Sequence, residues 1–168
     1  MENRAGAAVL VKTAQEPGWP LFAGLGPLGA LPTVPRLART FCQMVLGGWG
    51  LDRLAEDCEL VASELSANVV RAATGPDGQP GYDGHGRLPL LWLRLLSDRM
   101  RVRVEVWDNI PIDRGVPVLR EAAITDESGR GLELISQLSQ DWGWDHRPAL
   151  HAKRVWALLP RLEGDLPR

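Results

Sequence analysis

The chain has 168 residues, long enough for one domain with a sizeable core and too short to suggest two. Hydrophobic residues make up 45% and charged residues 24%, an ordinary balance for a globular protein in water. A net charge of −2 gives no electrostatic footprint for nucleic acid, so no direct nucleic-acid binding is expected.

Residues 1–32 are rich in Gly and Pro and show no clear hydrophobic period, so an irregular N-terminal arm is expected there. The short apolar run Ala5–Val11 lacks the pattern of a secretory signal. From Thr33 the pattern changes. A threonine cap position, Pro35 and an apolar face of Leu37, Phe41, Met44 and Val45 predict a helix that stops at Gly47-Gly48. A second helix follows from about Asp52, first as a short approach and then as the run Cys58–Ala73. Cys42 and Cys58 fall in these helical patterns without metal-ligand spacing and read as reduced, structural thiols.

Within the second helix, ELVASELSANVV (Glu59–Val70) places polar groups where aliphatic ones are expected. At about 100° per residue, with Leu60 at zero, Val61 falls near ~100° and Leu65 near ~140°, while Glu64 falls near ~40° and Asn68 near ~80°. The carboxylate and the amide therefore share the apolar stripe, one turn apart. An unpaired buried amide costs about 1–3 kcal/mol, and an unpaired carboxylate more. Either the stripe borders a polar cleft, or a paired network satisfies both groups, with Asn68 capping a neighbouring segment and Glu64 meeting an arginine.

Thr74–Pro89 holds five glycines and three prolines and is predicted as a surface loop. Two strands follow, Leu90–Leu96 and Arg101–Trp107, joined by a turn at Ser97-Asp98-Arg99. The first lies in the most apolar later stretch, which Arg94 interrupts and which is far too short to span a bilayer. A cytoplasmic protein with no membrane partner is expected. In the second strand Val102, Val104 and Val106 share one face, and Asp108 has their parity. A carboxylate thus leaves the strand end on the buried side of the sheet, towards the helix bearing Glu64 and Asn68.

The segment between Asp108 and Gly129 is longer than a compact domain normally uses for a connection and reads as a lid or binding loop. Then Ser128-Gly-Arg-Gly-Leu132 predicts a Gly-x-Gly turn running into an amphipathic helix. Bare backbone N–H groups there make a plausible phosphate cradle, although such a turn is commonly only a turn. Strands at about Trp142–His146 and Lys153–Leu159 close the chain. His85, His146 and His151 are scattered and suggest no metal site.

Taken in order, Glu-x-x-x-Asn on a helix, Asp at a strand end, a long loop and Gly-x-Gly-Leu opening a helix resemble the Bergerat-fold (GHKL) ATP-binding domain of gyrases, heat-shock chaperones, histidine kinases and mismatch-repair ATPases. LVASELSANVVRAA is similar to the N box of the anti-sigma-factor serine kinases and their actinobacterial relatives. VRVEVWDNIP is similar to their first glycine box, and GRGLELISQLSQDWGW with KRVWALLP to their second box and last strands. The resemblance spans about residues 33–159. It implies an α+β fold, a two-layer sandwich whose mixed, mostly antiparallel sheet is covered by helices on one face. The domain would run over 33–160, between the arm and a tail at 161–168.

The resemblance also implies roles by position. Asn68 would bind the Mg²⁺ that bridges the phosphates of ATP, and Glu64 would act as general base towards a protein serine. Asp108 would accept from the adenine amino group, with Ile110 beside it at the base. Gly129, Arg130, Gly131 and Leu132 would form the phosphate end, and residues 111–128 the ATP lid. Where relatives carry Asp-x-Gly-x-Gly, this chain has Asp108-Asn-Ile-Pro-Ile112, with Ile110 and Ile112 where glycines would let the backbone approach the base, and Ile110-Pro111 is expected to narrow the adenine pocket. The function implied is an ATP- and Mg²⁺-dependent serine/threonine kinase and anti-sigma factor in transcription regulation. Its partners would be an anti-anti-sigma (STAS-type) protein, a sigma factor and a second copy of itself. Two other readings stand beside it: an interaction module of the same fold that has lost catalysis, and a structural α/β domain with satisfied internal polar groups.

Overall fold

The computed structural model of the chain describes residues 17–83, 85–112 and 127–160, with the backbone alone for 127–130. The elements in chain order are β1 (Leu21–Gly29), α1 (Val34–Trp49), a 3₁₀ turn (Asp52–Leu54) and α2 (Ala55–Ala73). β2 (Leu90–Ser97), β3 (Val102–Asp108), α3 (Glu127–Leu138) and β4 (Asp141–Arg147) follow. A second 3₁₀ turn (Pro148–Leu150) leads into β5 (Ala152–Leu159). The five strands form one sheet in the order β1-β2-β3-β5-β4, and every neighbouring pair is antiparallel.

Local chemistry explains the boundaries. Pro35 lies in the first turn of α1, where a missing N–H is harmless, and Gly50 ends the helix at φ 70°, donating its N–H to the Gly47 carbonyl. The β2–β3 turn is held by Asp98, whose Oδ1 accepts from the N–H groups of Met100 (2.9 Å) and Arg101 (2.7 Å). That geometry is the local side-chain turn expected of an aspartate between two strands.

The arm is the first correction to the sequence reading. Residues 21–29 are not irregular but form β1, paired with β2 from Leu21↔Ser97 to Gly29↔Leu90. The Gly and Pro that suggested irregularity are tolerated because β1 is an edge strand with a register shift between Leu25 and Leu28. Gly26 in that shift has φ +136°, and a Cβ there would stand 2.9 Å from Trp92 Cδ1 and 3.0 Å from the Leu91 carbonyl oxygen. Residues 1–16 and 161–168 of the expected arm and tail lie outside the described residues.

The helices cover one face of the sheet. Phe41, Cys42 and Leu46 of α1 meet Val61, Ala62, Leu65 and Val69 of α2 over Leu91, Leu93, Leu95, Val102, Val104, Val106, Val155, Ala157 and Leu159 of the sheet. Burying each large aliphatic side chain contributes roughly 1.5–3 kcal/mol. Buried Ser63 and Ser66 return their hydroxyls to helix carbonyls, to Leu60 (3.0 Å) and Ala62 (2.7 Å), and so cost little. Among the described residues no helix is long and apolar enough to cross a membrane.

The opposite face covers itself with charge and aromatic rings. Glu105, fully buried, is ion-paired with Arg94 (3.2 Å), Arg103 (2.9 Å) and Arg154 (3.0 Å) and accepts from Trp107 Nε1 (2.9 Å). Arg94 stacks over Phe22 and Trp107, Arg103 over Trp19, and Arg154 over Trp107. Three guanidinium groups thus surround one buried carboxylate, and their planar faces lie over aromatic rings.

Because β1 supplies both an edge and Phe22, a truncated chain beginning at Ala30 exposes the unpaired edge of β2. It is expected to self-associate and to melt at lower temperature than the full chain, as read by light scattering and thermal denaturation. A monomeric truncation with unchanged melting would show that β1 is dispensable.

Candidate functional site

The polar groups of α2 lie where the helical pattern places them. Glu64 and Asn68 are half-buried, while Val61, Leu65 and Val69 on the same helix are buried. Among the described residues, Glu64 lies against Gly131 of α3. A Cβ built on Gly131 would stand 2.5 Å from Glu64 Oε2 and 3.4 Å from Glu64 Cδ. Glycine is thus the residue that lets this carboxylate lie against the first turns of α3. Asn68 turns its Oδ1 to the guanidinium of Arg71, one turn along and exposed.

The Gly-x-Gly segment departs from expectation in conformation. It is not a turn before the helix; α3 begins at Glu127, so Gly129, Arg130 and Gly131 lie within its first turns. In an α-helix the first N–H groups have no intrahelical acceptor, whereas a residue four positions in has one. Gly131 thus contributes closeness to Glu64, and the described start of α3, at 127–129, is an end whose dipole would favour an anion. Leu132 is buried in the core cluster. The Arg130 side chain and residues 113–126 of the expected lid lie outside the described residues.

At the end of β3, Asp108 is fully buried on the helix-covered side, as its parity predicts. Its partner comes from the neighbouring strand. Register pairs Asp108 with Lys153 of β5, and Lys153 Nζ donates to Asp108 Oδ1 at 2.5 Å. Ile110 N also donates to Oδ1 (2.9 Å), and the Ile110 carbonyl accepts from Lys153 Nζ (3.4 Å). Oδ2 is buried and has no hydrogen-bond donor among the described residues. Burial pushes the Asp108 carboxyl above the usual carboxylate range, and the Lys153 ammonium and the Ile110 N–H only partly pull it back.

The two isoleucines of the first glycine box separate. Ile110 is buried in the core cluster and uses its backbone to close the Asp108–Lys153 pair. Ile112 is exposed. Asn109 is a further fixed point, its Oδ1 accepting from Leu90 N at 2.8 Å.

Lys153 is the residue that the sequence reading missed. The signal was there: in Lys153-Arg-Val-Trp-Ala-Leu-Leu159 the lysine shares parity with Val155, Ala157 and Leu159, all buried. Alternation alone places its stem on the core side at the strand end.

The chemistry present fits a nucleotide. A buried carboxylate oxygen lacking a donor suits an exocyclic amino group, and an amide oxygen suits a hard cation. Among the described residues no three of His, Cys, Asp and Glu converge, so a divalent cation here would be held mainly by phosphate oxygens, with Asn68 as the protein ligand.

Residues 29–156 match the family of the histidine kinase-like ATPase domain, and the chain belongs to that family. The antiparallel sheet with helices on one face is consistent with the Bergerat type, and membership implies ATP binding and a regulatory function of that kind. The chain matches no curated protein.

Gly131 carries a direct test. Glycine within a helix costs about 0.8–1.0 kcal/mol relative to alanine, so Gly131→Ala gains helix propensity while displacing the Glu64 carboxylate. In a Glu64→Ala background the displacement vanishes, and Gly131→Ala is expected to stabilise by about 0.5–1 kcal/mol in urea denaturation. In the native background that gain should be cancelled or reversed. An equal effect in both backgrounds would show that the two residues do not meet.

Proposed function

We propose that the protein is an ATP- and Mg²⁺-dependent serine/threonine kinase that acts on an anti-anti-sigma (STAS-type) partner and holds a sigma factor when that partner is phosphorylated. The observation that carries this reading is the meeting of the Glu64 carboxylate with Gly131 at the first turns of α3. A carboxylate lying against the early part of a helix suits transfer from a phosphate to a hydroxyl, which needs a base near an anion.

ATP supplies the transferable phosphoryl group. Asp108 binds the base through an acceptor oxygen, and the first N–H groups of α3 hold phosphate, aided by the helix dipole. Asn68 would hold the cation through its amide oxygen, which now accepts from Arg71, and the cation would neutralise phosphate charge. Glu64 accepts the proton of the serine hydroxyl as that oxygen becomes the nucleophile.

A second reading is favoured by the Asp108–Lys153 pair. Two of the three groups at the base end, Asp108 Oδ1 and Lys153 Nζ, are already bonded to each other, as a module that keeps its partner surface without turnover would allow. The readings separate at Glu64. Glu64→Gln keeps size and polarity, so ATP-Mg²⁺ affinity should change little while phosphoryl transfer falls by about 10²–10⁴-fold. Transfer at the native rate would remove the base assignment, and absence of transfer in the native chain, with partner binding intact, would establish the module.

The nucleotide site has its own test. Loss of the Asp108 acceptor is expected to weaken ATP by roughly 1.5–3 kcal/mol, about 10–100-fold. Asp108→Asn alone leaves a buried ammonium uncompensated, so the calorimetry is read on Asp108→Asn with Lys153→Met, where both charges go. Asn68→Ala should weaken ATP chiefly when Mg²⁺ is present. Unchanged affinity in the double variant would place the base elsewhere, and equal losses for Asn68→Ala with and without Mg²⁺ would make Asn68 structural.

A further inference from the structure

We propose that Lys153 is a positioning and specificity residue of the base end, one that occupies Asp108 Oδ1, leaves the buried Oδ2 as the acceptor for a ligand N–H and favours the accepting carboxylate, and so selects a 6-aminopurine over a 6-oxopurine. The inference rests on the nucleotide-site reading and deepens it.

The geometry is specific. Both donors on Asp108, Lys153 Nζ at 2.5 Å and Ile110 N at 2.9 Å, fall on the same oxygen. Lys153 is itself 5% exposed and is tied by its second bond to the Ile110 carbonyl. The carboxylate plane is thereby held from one side, and the buried Oδ2 is left with neither a donor nor water-facing area among the described residues. A buried acceptor of this kind is costly until a ligand N–H reaches it.

The charge of Lys153 then decides what Asp108 can recognise. An ionised carboxylate only accepts, and it matches an amino group at the purine 6-position; a protonated carboxyl also donates and matches an oxo group there. Burial favours the protonated form, and the ammonium opposes it. The surrounding elements offer no substitute. The cross-strand neighbour on β2 is Leu91, α2 contributes the carboxylate of Glu64, which lies against Gly131, and Asn109 and Ile110 carry no charge. Among the described residues, Lys153 is the charged group whose field acts on Asp108.

The sign follows from linkage. Removing the ammonium raises the folded-state pKa of Asp108 further above its unfolded value. Ionising Asp108 then opposes folding, so the stability deficit of a Lys153 variant is small in acid and grows as pH rises through the new pKa. Ligand binding that needs the ionised acceptor moves the other way, weakening as pH falls, by up to about tenfold per pH unit.

The test compares the full native chain with Lys153→Met and with Lys153→Gln, which keeps a donor but no charge and guards against a variant that does not fold. ATP-Mg²⁺ and ITP-Mg²⁺ affinities are measured by calorimetry from about pH 5 to pH 8, and the Asp108 carboxyl carbon is titrated by NMR without nucleotide. The native chain should prefer ATP, and should keep that preference to lower pH than either variant. Both variants should lose ATP affinity towards acid pH while ITP is spared, so that the preference narrows, and the Asp108 midpoint should move up. Variants that weaken both nucleotides by one factor at every pH, or an unmoved midpoint, would reduce Lys153 to a packing residue and overturn the proposal. A native chain that binds neither nucleotide would overturn the specificity assignment together with the site reading. The midpoint measured on the same samples would then still report whether Lys153 sets the ionisation of Asp108.

Discussion

A carboxylate taken fully out of water has to be compensated, and the arrangement around Asp108 follows from how that is done. Asp108 ends β3 with the parity of the valines that pack under α2, so it cannot turn to solvent without reversing the strand. The compensating charge comes from Lys153, directly opposite on β5, and the segment after β3 folds back so that Ile110 gives an N–H to the carboxylate and a carbonyl to the lysine. A buried ion pair of this kind is weak evidence for stability, because desolvation of both groups offsets their attraction. Its consequence is geometric: one oxygen takes two donors and the other has none among the described residues.

The same logic of close approach holds at the other end of the site. Glu64 can lie against α3 because residue 131 has no side chain, and the helix tolerates that glycine at a cost of about 1 kcal/mol. The two ends therefore differ in kind. The Asp108 end is fixed by an ion pair within the sheet, whereas the Glu64 end is fixed by two helices in contact. Between them α2 carries Glu64 and Asn68 on a stripe that is apolar elsewhere, and this is where a nucleotide and its cation would replace the missing aliphatic contacts.

What was legible in the sequence was whatever has a strong period. The alternation of β3 gave the burial of Asp108, and the angular position of Glu64 and Asn68 on α2 gave their half-buried setting. The order of the motifs gave the family and the α+β class. β1 was hidden because an edge strand with a bulge accepts the glycines and proline that normally signal irregular chain. The glycines at 129 and 131 were read as a turn, since sequence does not distinguish a glycine needed for its own conformation from one needed by a neighbour's side chain. Lys153 was readable from alternation, but a lysine at a strand end is ordinarily solvated, and only the β3–β5 register reveals the carboxylate opposite.

The central claim is that these polar groups line a nucleotide cleft and are not a self-satisfied core network. It is tested most directly by a crystal structure of the chain with a non-hydrolysable ATP analogue and Mg²⁺. The account predicts a base amino group donating to Asp108 Oδ2, with Lys153 still on Oδ1, and phosphates at the start of α3 within reach of Asn68 and Glu64. An analogue bound away from Asp108, or crystals grown at saturating analogue in which Oδ2 still has no donor, would contradict it.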